Sequence, residues 1–460
     1  MTTTDTAHPL RALLPPECVI VDPDVLAAHR HDRASFCAAG TPSVLVRARS
    51  TEDVSVVLRW ADQNRVPVVA QGARSGLSGA ANAIDGCVLL SLEKMDRILE
   101  IDTAEQIAVV QPGVVNGVLA AAAGAEGLFY PPDPGSRGIS TIGGNVATNA
   151  GGMCCVKYGV TGDFVRGLEV VLADGRVLRT GRRTAKGVAG YDLTRLMVGS
   201  EGTLGIVTEI TVALRPAHAR PLTAVAFFPT IVDGCRTVAG YLGAGYRPSV
   251  LEFMDRPTVD AVTRIADLGF PDGMGSMLIA QSDSGEAARA ELAAFERVAR
   301  ECAAMDVVVA DDPEEGDLLM HARRLVADAH ANLGPHLVDD VCVPRGRLVD
   351  LVEGLHRISD RYRVRVLCAG HAGDGNMHPV VVFDAGDPDE TARAHEAFDA
   401  VMALGLELGG TITGEHGVGH LKRHWLGEEL DPAALWAQRA IKRTLDPNGI
   451  LNPGRVLPPE

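Results

Sequence analysis

Residues 66–79 read VPVVAQGARSGLSG, an apolar run of strand type that leads into a glycine-rich loop. The loop begins at Gln71, and its backbone N–H groups can close on an anion such as a pyrophosphate. It matches neither GxGxxG nor GxxxxGK(S/T), which excludes the usual dinucleotide fingerprint and the P-loop. A flexible turn without a ligand is the alternative interpretation.

Further segments rich in small residues follow. Residues 131–136 read PPDPGS, residues 141–152 read TIGGNVATNAGG, and residues 198–207 read VGSEGTLGIV. Small residues in such numbers indicate close approach of the backbone to a flat or bulky group. Each segment alone could be structural. Together with the first loop, they favour one extended ligand cradled by backbone.

The spacing of apolar residues predicts an α+β protein. A capped amphipathic helix is expected over residues 51–64, with Thr51 as the N-cap. Two alternating runs around Asp174-Gly175 predict a hairpin with a two-residue turn. From residue 217 onward, strands alternate with long amphipathic helices, which predicts a second domain whose antiparallel sheet is covered by helices.

Composition excludes several classes of protein. The 460 residues carry a formal charge of −16 with only 4% aromatic residues, which argues against nucleic acid as the main partner. No stretch is long and apolar enough for a membrane span, and no signal peptide is visible. The nine cysteines include no CxxC pair. These features predict a cytoplasmic protein with reduced thiols.

Residues 371–378, HAGDGNMH, separate two apolar runs and carry a histidine at each end. If Asp374-Gly375 forms a two-residue turn, His371 directly faces His378 with Cβ atoms about 5 Å apart. Two imidazoles at that distance can share one metal ion. Residues 414–417, GEHG, could add a carboxylate, giving a two-histidine, one-glutamate set with an open position. Ordinary polar residues on a hairpin and a loop are the alternative.

The glycine-rich segments, together with Lys157-Tyr158-Gly159, Lys186, Gly190-Tyr191-Asp192-Leu193 and Asn452-Pro453-Gly454-Arg455, resemble the flavin-binding domain of the vanillyl-alcohol oxidase / p-cresol methylhydroxylase (PCMH) superfamily. The resemblance covers about residues 40–217. It implies a two-lobed PCMH-type domain that binds FAD. The FAD-binding residues it implies are Gln71, Gly72, Ala73, Arg74, Ser75, Gly76, Leu77, Pro132, Asp133, Thr141, Gly143, Gly144, Asn145, Thr148, Gly205, Ile206, Val207 and Asn452.

Two features of the first loop bear on how FAD is held. Some members of this superfamily bind FAD covalently through a histidine or cysteine, often in this loop, which here has neither. The resemblance therefore implies dissociable FAD. Arg74 stands where close relatives usually carry a small residue. It could contact a phosphate or point to solvent.

The histidine hairpin and the GEHG segment resemble those of glycolate oxidase flavoprotein subunits and of the D-lactate and D-2-hydroxyglutarate dehydrogenases. The resemblance implies His371, His378 and Glu415 as ligands of a divalent metal, zinc or manganese, with iron left open. It implies His416 as the catalytic base. Arg323 would bind the substrate carboxylate, with Arg324 as the alternative match. The domains expected are a lead-in over 1–39, the FAD-binding domain over 40–217, a substrate or cap domain over 218–412, and a C-terminal segment over 413–460 that returns to the flavin.

The activity implied is FAD-dependent, metal-assisted oxidation of a D-2-hydroxy acid to the 2-oxo acid, with hydride transfer to flavin N5. D-lactate or glycolate is favoured, because residues 337–344, LVDDVCVP, lack the lysine that dicarboxylate-specific relatives carry. The alternatives are a dehydrogenase for another acid, such as D-2-hydroxyglutarate, and an accessory flavin subunit of a larger glycolate oxidase.

Electrons are expected to leave to a separate iron–sulfur protein, quinone or cytochrome. A homodimer and peripheral association with the inner membrane are left open.

Overall fold

The computed structural model describes residues 8–34 and 36–459. These divide into two compact units. The first contains the described residues of Met1–Gly151, Val160–Ala217 and Glu415–Glu460. The second contains Gly152–Gly159 and His218–Gly414. The chain therefore enters and leaves the first unit more than once, while the domain bounds expected from the sequence remain predictions.

The strands in chain order are β1 Val19–Ile20, β2 Val44–Arg47, β3 Val68–Gln71, β4 Val88–Ser91, β5 Ile98–Asp102, β6 Ile107–Val110, β7 Leu128–Phe129, β8 Val165–Val171, β9 Val177–Gly181, β10 Ile206–Ala213, β11 Arg215–Pro216, β12 Leu222–Phe228, β13 Val250–Asp255, β14 Ser276–Ser282, β15 Asp306–Val309, β16 His336–Val338, β17 Val341–Cys342, β18 Arg365–His371 and β19 Asn376–Val382.

The α-helices in chain order are α1 Pro23–Ala28, α2 Thr51–Asn64, α3 Asn116–Ala125, α4 Ile142–Thr148, α5 Cys155–Tyr158, α6 Thr161–Phe164, α7 Leu193–Met197, α8 Ile231–Gly243, α9 Arg256–Thr263, α10 Ala288–Glu301, α11 Pro313–Leu319, α12 His321–Ala331, α13 Leu348–Tyr362, α14 Pro388–Glu407, α15 Leu426–Glu429 and α16 Pro432–Leu445. Short 3₁₀ helices span Pro9–Ala12, Pro16–Cys18, Gly285–Ala287 and Arg345–Arg347. No helix within the described ranges combines the length and apolar character needed to cross a bilayer.

The first sheet of the first unit has the order β1-β2-β4-β3, with β2, β4 and β3 parallel. These three strands are almost wholly buried, as expected for parallel strands, which read as continuous apolar runs. Helix α2 buries Val54, Val57, Leu58 and Ala61 in the same core. Burial of a Val or Leu side chain contributes roughly 1.5–3 kcal/mol, so this face holds the helix on the sheet.

The N-cap of α2 differs from the prediction. Thr51 begins the helix, but the preceding Ser50 caps it, because the Ser50 hydroxyl accepts a hydrogen bond from the Asp53 N–H at 3.2 Å. The Thr51 hydroxyl instead donates to Glu169 Oε1 at 2.6 Å. The prediction was wrong by one residue because either hydroxyl could serve as a cap in the sequence Ser-Thr-Glu-Asp.

The second sheet of the first unit is antiparallel, with the order β5-β6-β10-β8-β9. Its β8–β9 hairpin contains the predicted Asp174-Gly175 pair, but the turn is longer than expected. The Leu172 N–H donates to the Arg176 carbonyl, so three residues connect the strands. Gly175 has φ +82°, the left-handed conformation that closes a three-residue turn.

The C-terminal segment completes the first unit. Leu451 forms a parallel bridge with Val68 on β3, and Ile450 and Leu451 are buried in the core that α2 covers. This pairing brings Asn452 next to the strand that leads into the first glycine-rich loop.

The second unit is built on one antiparallel sheet with the order β15-β12-β14-β13-β18-β19-β16, and β17 also pairs with β19. Met254 on β13 and Leu367 on β18 pack against α9 and α12, through residues such as Val262 and Val326. The neighbouring Phe253 points to the opposite face, next to Gly234 of α8. Helices therefore cover both faces of this sheet.

Candidate functional site

The first glycine-rich loop is anchored at its start by Gln71. The buried side-chain amide of Gln71 donates to the carbonyls of His29 at 2.9 Å and Ala81 at 2.8 Å. Gly72 lies against Thr141, and a Cβ at position 72 would overlap Thr141 Oγ1. Only glycine can follow Gln71 here, because the loop touches the second glycine-rich segment at this point.

That second segment forms the start of α4. Thr141 caps the helix by accepting the Gly144 N–H at 3.3 Å. Gly143 packs on Pro112, and a Cβ at position 143 would lie 2.5 Å from Pro112 Cβ. The buried side chain of Asn145 follows one helical turn after the cap.

Asn452 and Glu201 join the third segment to this group. The Asn452 side-chain amide donates to the carbonyls of Ala80 at 3.0 Å and Glu201 at 2.9 Å. The Glu201 N–H in turn donates to the Ala147 carbonyl within α4 at 2.8 Å. The three predicted loops and the C-terminal asparagine are thus linked by hydrogen bonds within the first unit.

The remaining predicted FAD residues lie along the same elements. Asn116, at the start of α3, donates from its side chain to the Pro132 carbonyl at 3.0 Å and from its N–H to the Ser140 carbonyl at 2.9 Å. The residues not yet placed are Ala73, Ser75, Gly76 and Leu77 in the first loop, Asp133 beside Pro132, Thr148 at the end of α4, and Gly205, Ile206 and Val207 at the start of β10.

Arg74 contacts the main chain at the end of α1, and its contact with a phosphate stays a prediction. Its Nη1 donates to the Ala28 carbonyl at 2.6 Å, and its backbone lies in the left-handed region with φ 54°. The guanidinium therefore fastens the loop to the end of α1.

Several buried polar atoms in this group suit a ligand. Gln71 Oε1, Asn145 Nδ2 and Asn452 Oδ1 have no hydrogen-bond partner in the described part of the chain. A buried polar atom without a partner costs about 1–3 kcal/mol, so native proteins rarely leave three in one place. The residues present fit a long ligand with many polar groups, as FAD is.

The loop that contains His416 lies beside the FAD-loop residues of the first unit. Ser78 donates from its hydroxyl to the His416 carbonyl at 3.2 Å. The Glu201 carboxylate accepts the N–H groups of Val418 at 2.8 Å and Gly419 at 2.9 Å. Burial raises the pKa of Glu201 to about 7, although these two hydrogen bonds oppose the rise. Glu415 Oε1 lies 3.8 Å from His416 Nε2.

In the second unit, the histidine hairpin has a different register from the predicted one. His371 pairs with Asn376 and Ala369 pairs with His378, so four residues connect the strands. The N–H groups of Asp374 and Gly375 both donate to the His371 carbonyl, which closes this longer turn. The predicted direct pairing of His371 with His378 is therefore wrong.

His371 and His378 are nevertheless neighbours. They occupy diagonal positions on one face of the sheet, because alternate residues of a strand share a face. Their ring centroids are 5.0 Å apart, and the rings are nearly perpendicular. This face is the one that α9 and α12 cover.

Glu252 links His371 to Arg323 on α12. The carboxylate is completely buried, with Oε1 2.7 Å from His371 Nδ1 and Oε2 2.5 Å from Arg323 Nε. Burial alone would raise the pKa of Glu252, but the charges of His371 and Arg323 and their hydrogen bonds lower it below its ordinary value. Arg324 is exposed and donates to the Asp317 carbonyl, so only Arg323 joins this cluster.

Asp340 is a second acid that the sequence analysis missed. It is completely buried, its Oδ1 lies 3.6 Å from His378 Nδ1, and its Oδ2 accepts the Thr413 hydroxyl at 2.7 Å. Two imidazoles and a carboxylate are a donor set suited to a divalent transition metal. Asp340 precedes β17 and Glu252 lies on β13, and no motif in the sequence connects either to the hairpin.

His330 also lies on α12, two turns after Arg323 and on the same side of the helix. It is buried, and its Nε2 has no hydrogen-bond partner among the residues that the structure describes. Burial lowers its pKa to about 4, with smaller contributions from His336, Arg323, His378 and Arg365. This imidazole is therefore neutral at physiological pH.

The motif Lys157-Tyr158-Gly159 lies in the second unit. The Lys157 ammonium pairs with the buried carboxylate of Asp283, and the Tyr158 hydroxyl donates to Asp283 Oδ2 at 2.5 Å. The His218 ring stacks on Tyr158, with Nε2 3.6 Å from the same oxygen. Asp283 thus fastens α5 to the end of β14.

Comparison with known proteins identifies two domain profiles along the chain. Residues 42–181 match the profile of an FAD binding domain, and residues 217–456 match that of the FAD linked oxidases, C-terminal domain. The chain is 41% identical over 417 residues to glycolate oxidase subunit GlcD of Bacillus subtilis, which covers 90% of this chain and 89% of that protein. It is 36% identical over 452 residues to a D-lactate dehydrogenase of Anaerostipes hadrus, covering 96% and 95%.

Solved structures with the same fold include p-cresol methylhydroxylase with substrate bound. That structure has a TM-score of 0.79 and 22% identity, covering 97% of this chain and 95% of the other. A 4-ethylphenol oxidase from Gulosibacter chungangensis in complex with isoeugenol has a TM-score of 0.78 and 21% identity, again covering 97% and 95%. At this identity the likeness concerns the fold alone.

Proposed function

Because the chain belongs to the family of FAD-linked oxidases, we propose that it oxidises a D-2-hydroxy acid, with D-lactate or glycolate as the favoured substrate, to the 2-oxo acid. The observation that carries this proposal is the cluster on one face of the second unit's sheet. There Arg323, an anion-binding side chain, and His371 both contact the buried carboxylate of Glu252, and the ring of His378 lies beside that of His371.

Arg323 is proposed to bind the substrate carboxylate. Glu252 accepts a hydrogen bond from the Arg323 Nε–H, and the terminal nitrogens of the guanidinium form the planar fork that suits a carboxylate. The side chain is 16% exposed, so the ion pair with substrate would form in a largely water-free setting. An ion pair is stronger there than at the surface, because the local dielectric constant is lower.

His371, His378 and Glu415 are proposed to hold a divalent metal, zinc or manganese, with iron left open. Asp340 is an additional candidate ligand or an outer partner of His378. The bound metal would act as a Lewis acid on the substrate hydroxyl and lower its pKa.

His416 is proposed to accept the hydroxyl proton as the general base. Its main chain is held by Ser78 and its loop by Glu201, which gives the imidazole a fixed support. Dissociable FAD, when bound to the loops described above, would supply at N5 the acceptor for the hydride that leaves C2. The substrate thus loses one proton and one hydride and becomes the 2-oxo acid.

The composition of residues 337–344 supports the proposal that the substrate is a monocarboxylate. This segment has no lysine, and its two acids, Asp339 and Asp340, are completely buried. Residues 337–344 therefore offer a second substrate carboxylate no cationic partner. D-2-hydroxyglutarate as substrate and a role as accessory flavin subunit are the alternatives.

The test is an anaerobic titration of the purified protein with D-lactate, glycolate, D-2-hydroxyglutarate and L-lactate, followed by the visible spectrum. We expect D-lactate or glycolate to bleach the flavin absorbance and L-lactate to leave it unchanged. Arg323→Gln should raise the concentration needed for half-bleaching, whereas Arg324→Gln, a matched control, should not. A flavoprotein that none of the four acids reduces, even with added zinc or manganese, would contradict the proposal.

The electron acceptor is proposed to be a separate iron–sulfur protein, quinone or cytochrome. Several relatives are named as subunits of a glycolate oxidase, which supports a protein partner. Stopped-flow reoxidation of the reduced protein by a ferredoxin, a soluble quinone and cytochrome c would rank the three classes.

A further inference from the structure

Glu252 and Asp255 lie on the same strand, are equally buried, and have different kinds of partner. Asp255 accepts the main-chain N–H groups of Thr258 and Cys368, both at 2.9 Å, so it supports the backbone. Burial raises the pKa of Asp255 to about 6, although these hydrogen bonds oppose the rise. Asp255 is therefore an acid with a structural task.

The hydrogen bonds to Glu252 among the described residues come from side chains alone. Oε1 faces His371 Nδ1 and Oε2 faces Arg323 Nε, so each oxygen serves one functional candidate. A buried carboxylate costs several kcal/mol in lost solvation, and replacing a whole buried charged cluster by packed apolar residues often leaves a core at least as stable. The position of Glu252 thus calls for a reason other than stability.

The bond to His371 decides which ring nitrogen can meet a metal. Nδ1 of His371 lies 2.7 Å from a carboxylate oxygen, which is an acceptor, so Nδ1 is the ring nitrogen that donates the hydrogen bond. The lone pair then resides on Nε2, the ring nitrogen through which this tautomer can bind a cation. A carboxylate behind a ligating histidine in this way typically improves metal affinity by 10–100-fold.

The bond to Arg323 fixes the plane of its guanidinium. Nε and the two terminal nitrogens share that plane, so a fixed Nε–H sets the direction in which the fork points. The same carboxylate therefore determines the orientation of the proposed anion-binding group and of a proposed metal ligand.

We propose that Glu252 is a positioning residue that sets both His371 for the metal and Arg323 for the substrate carboxylate, and so makes the two binding events depend on one side chain. This inference rests on the proposed function. It adds a specific role for an acid on a strand that carries no recognisable motif.

The first test measures zinc affinity without turnover, by competition with a chromophoric chelator. Wild type is compared with His371→Asn, Glu252→Gln and the control Asp255→Asn. We expect His371→Asn and Glu252→Gln each to weaken zinc binding at least roughly 10-fold. The zinc affinity of Asp255→Asn should stay within about twofold of wild type, because zinc binding requires the carboxylate behind His371 and not that of Asp255. Asp255→Asn is nevertheless expected to lower the unfolding temperature.

The second test uses the split between KM and kcat with zinc held at saturation. Glu252→Gln should raise the KM for the acid that bleaches the flavin roughly 10-fold or more, because Arg323 is no longer held in its plane. Asp255→Asn should leave KM unchanged. If Glu252→Gln does not fold, Glu252→Asp keeps the charge but is too short to reach both partners, so it should impair zinc affinity, KM, or both.

The outcomes separate the two proposals. Equal zinc affinity in wild type and His371→Asn would remove the metal from this site and would overturn the proposed metal assistance and the role of Glu252 together. The Glu252 proposal alone would be overturned if His371→Asn loses zinc affinity while Glu252→Gln keeps both the zinc affinity and the KM of wild type. The same conclusion would follow if Glu252→Asp keeps both.

Discussion

The side-chain amide of Asn452 donates to the main-chain carbonyl of Glu201 at 2.9 Å, across 251 positions of sequence. Both residues have left-handed backbones, with φ 42° at Asn452 and φ 49° at Glu201. Non-glycine residues adopt that conformation only when their surroundings hold them there. The contact therefore fixes two strained points of the proposed FAD site against each other.

Asn452→Ala should weaken FAD binding. It removes the two hydrogen bonds to Ala80 and Glu201 and the buried Oδ1 that suits a ligand. We expect the dissociation constant for FAD to rise roughly 10-fold or more, as measured by the recovery of flavin fluorescence on dilution. Asn448→Ala is the matched control, since its exposed amide donates to the Asp62 carboxylate and makes no other side-chain hydrogen bond with the residues that the structure describes. Equal affinities in the two variants would exclude Asn452 from the FAD site.

Glu201→Ala should loosen the loop that carries His416. The part-buried N–H of Val418 and the buried N–H of Gly419 would lose their acceptor, at a cost of about 1–3 kcal/mol for each group that water does not reach. We expect a lower free energy of unfolding and a lower kcat in the variant once FAD is restored. Glu209→Ala, on the half-exposed side of β10, should change neither. A normal kcat in Glu201→Ala would show that this support is dispensable for turnover.

Two glycine substitutions should have opposite effects on stability. Gly143→Ala would place a methyl group 2.5 Å from Pro112 Cβ and 2.9 Å from its carbonyl oxygen, which forces α4 to shift. We expect a loss of about 1–3 kcal/mol in the free energy of unfolding. Gly124→Ala, inside α3 with nothing within 4 Å, should gain about 0.5–1 kcal/mol from helix propensity. Urea denaturation of both variants tests the pair, and a stabilising Gly143→Ala would contradict the close approach.

His330 should make the protein less stable in acid. Its pKa is lowered to about 4 in the folded protein, chiefly by burial, and is about 6.5 in the unfolded chain. The unfolded chain therefore takes up a proton before the folded protein does, and stability is lost as the pH falls from about 6.5 to 4. The loss attributable to this group is of order 3 kcal/mol. Over this pH range, the unfolding temperature of His330→Gln should depend less steeply on pH than that of wild type. The pH dependence of His395→Gln, whose side chain is exposed, should equal that of wild type.

Local pattern was sufficient for the fold class and for the most regular single element. Helix α2 has the predicted bounds because its apolar residues recur at helical spacing and its first turn is acidic. The comparisons confirm the resemblance to FAD-linked oxidases and the α+β fold with a PCMH-type domain. Sequence failed where two neighbouring residues could do the same task, as Ser50 and Thr51 could as caps.

Sequence predicted those residues of the candidate site that lie in recognisable motifs. His371 and His378 are close, but the turn between them is two residues longer than the Asp-Gly pair suggested, because Asp374 and Gly375 both bond the His371 carbonyl. Glu252 and Asp340 were missed. Their contacts are made across the sheet and between segments distant in sequence, so only the three-dimensional pairing of strands reveals them.

The bridge between Val68 and Leu451 has a consequence for biosynthesis. A ribosome releases β3 and its loop early, but the bridge partner Leu451, and Asn452 with it, emerges only after all of the second unit has been translated. The nascent flavin-binding unit therefore lacks the pairing of β3 with Leu451 while nearly 200 residues of the second unit are translated and fold. Capture of the cofactor is expected to follow the release of residues 450–452 from the ribosome, so a protein truncated before residue 450 should accumulate as apoprotein with an intact second unit.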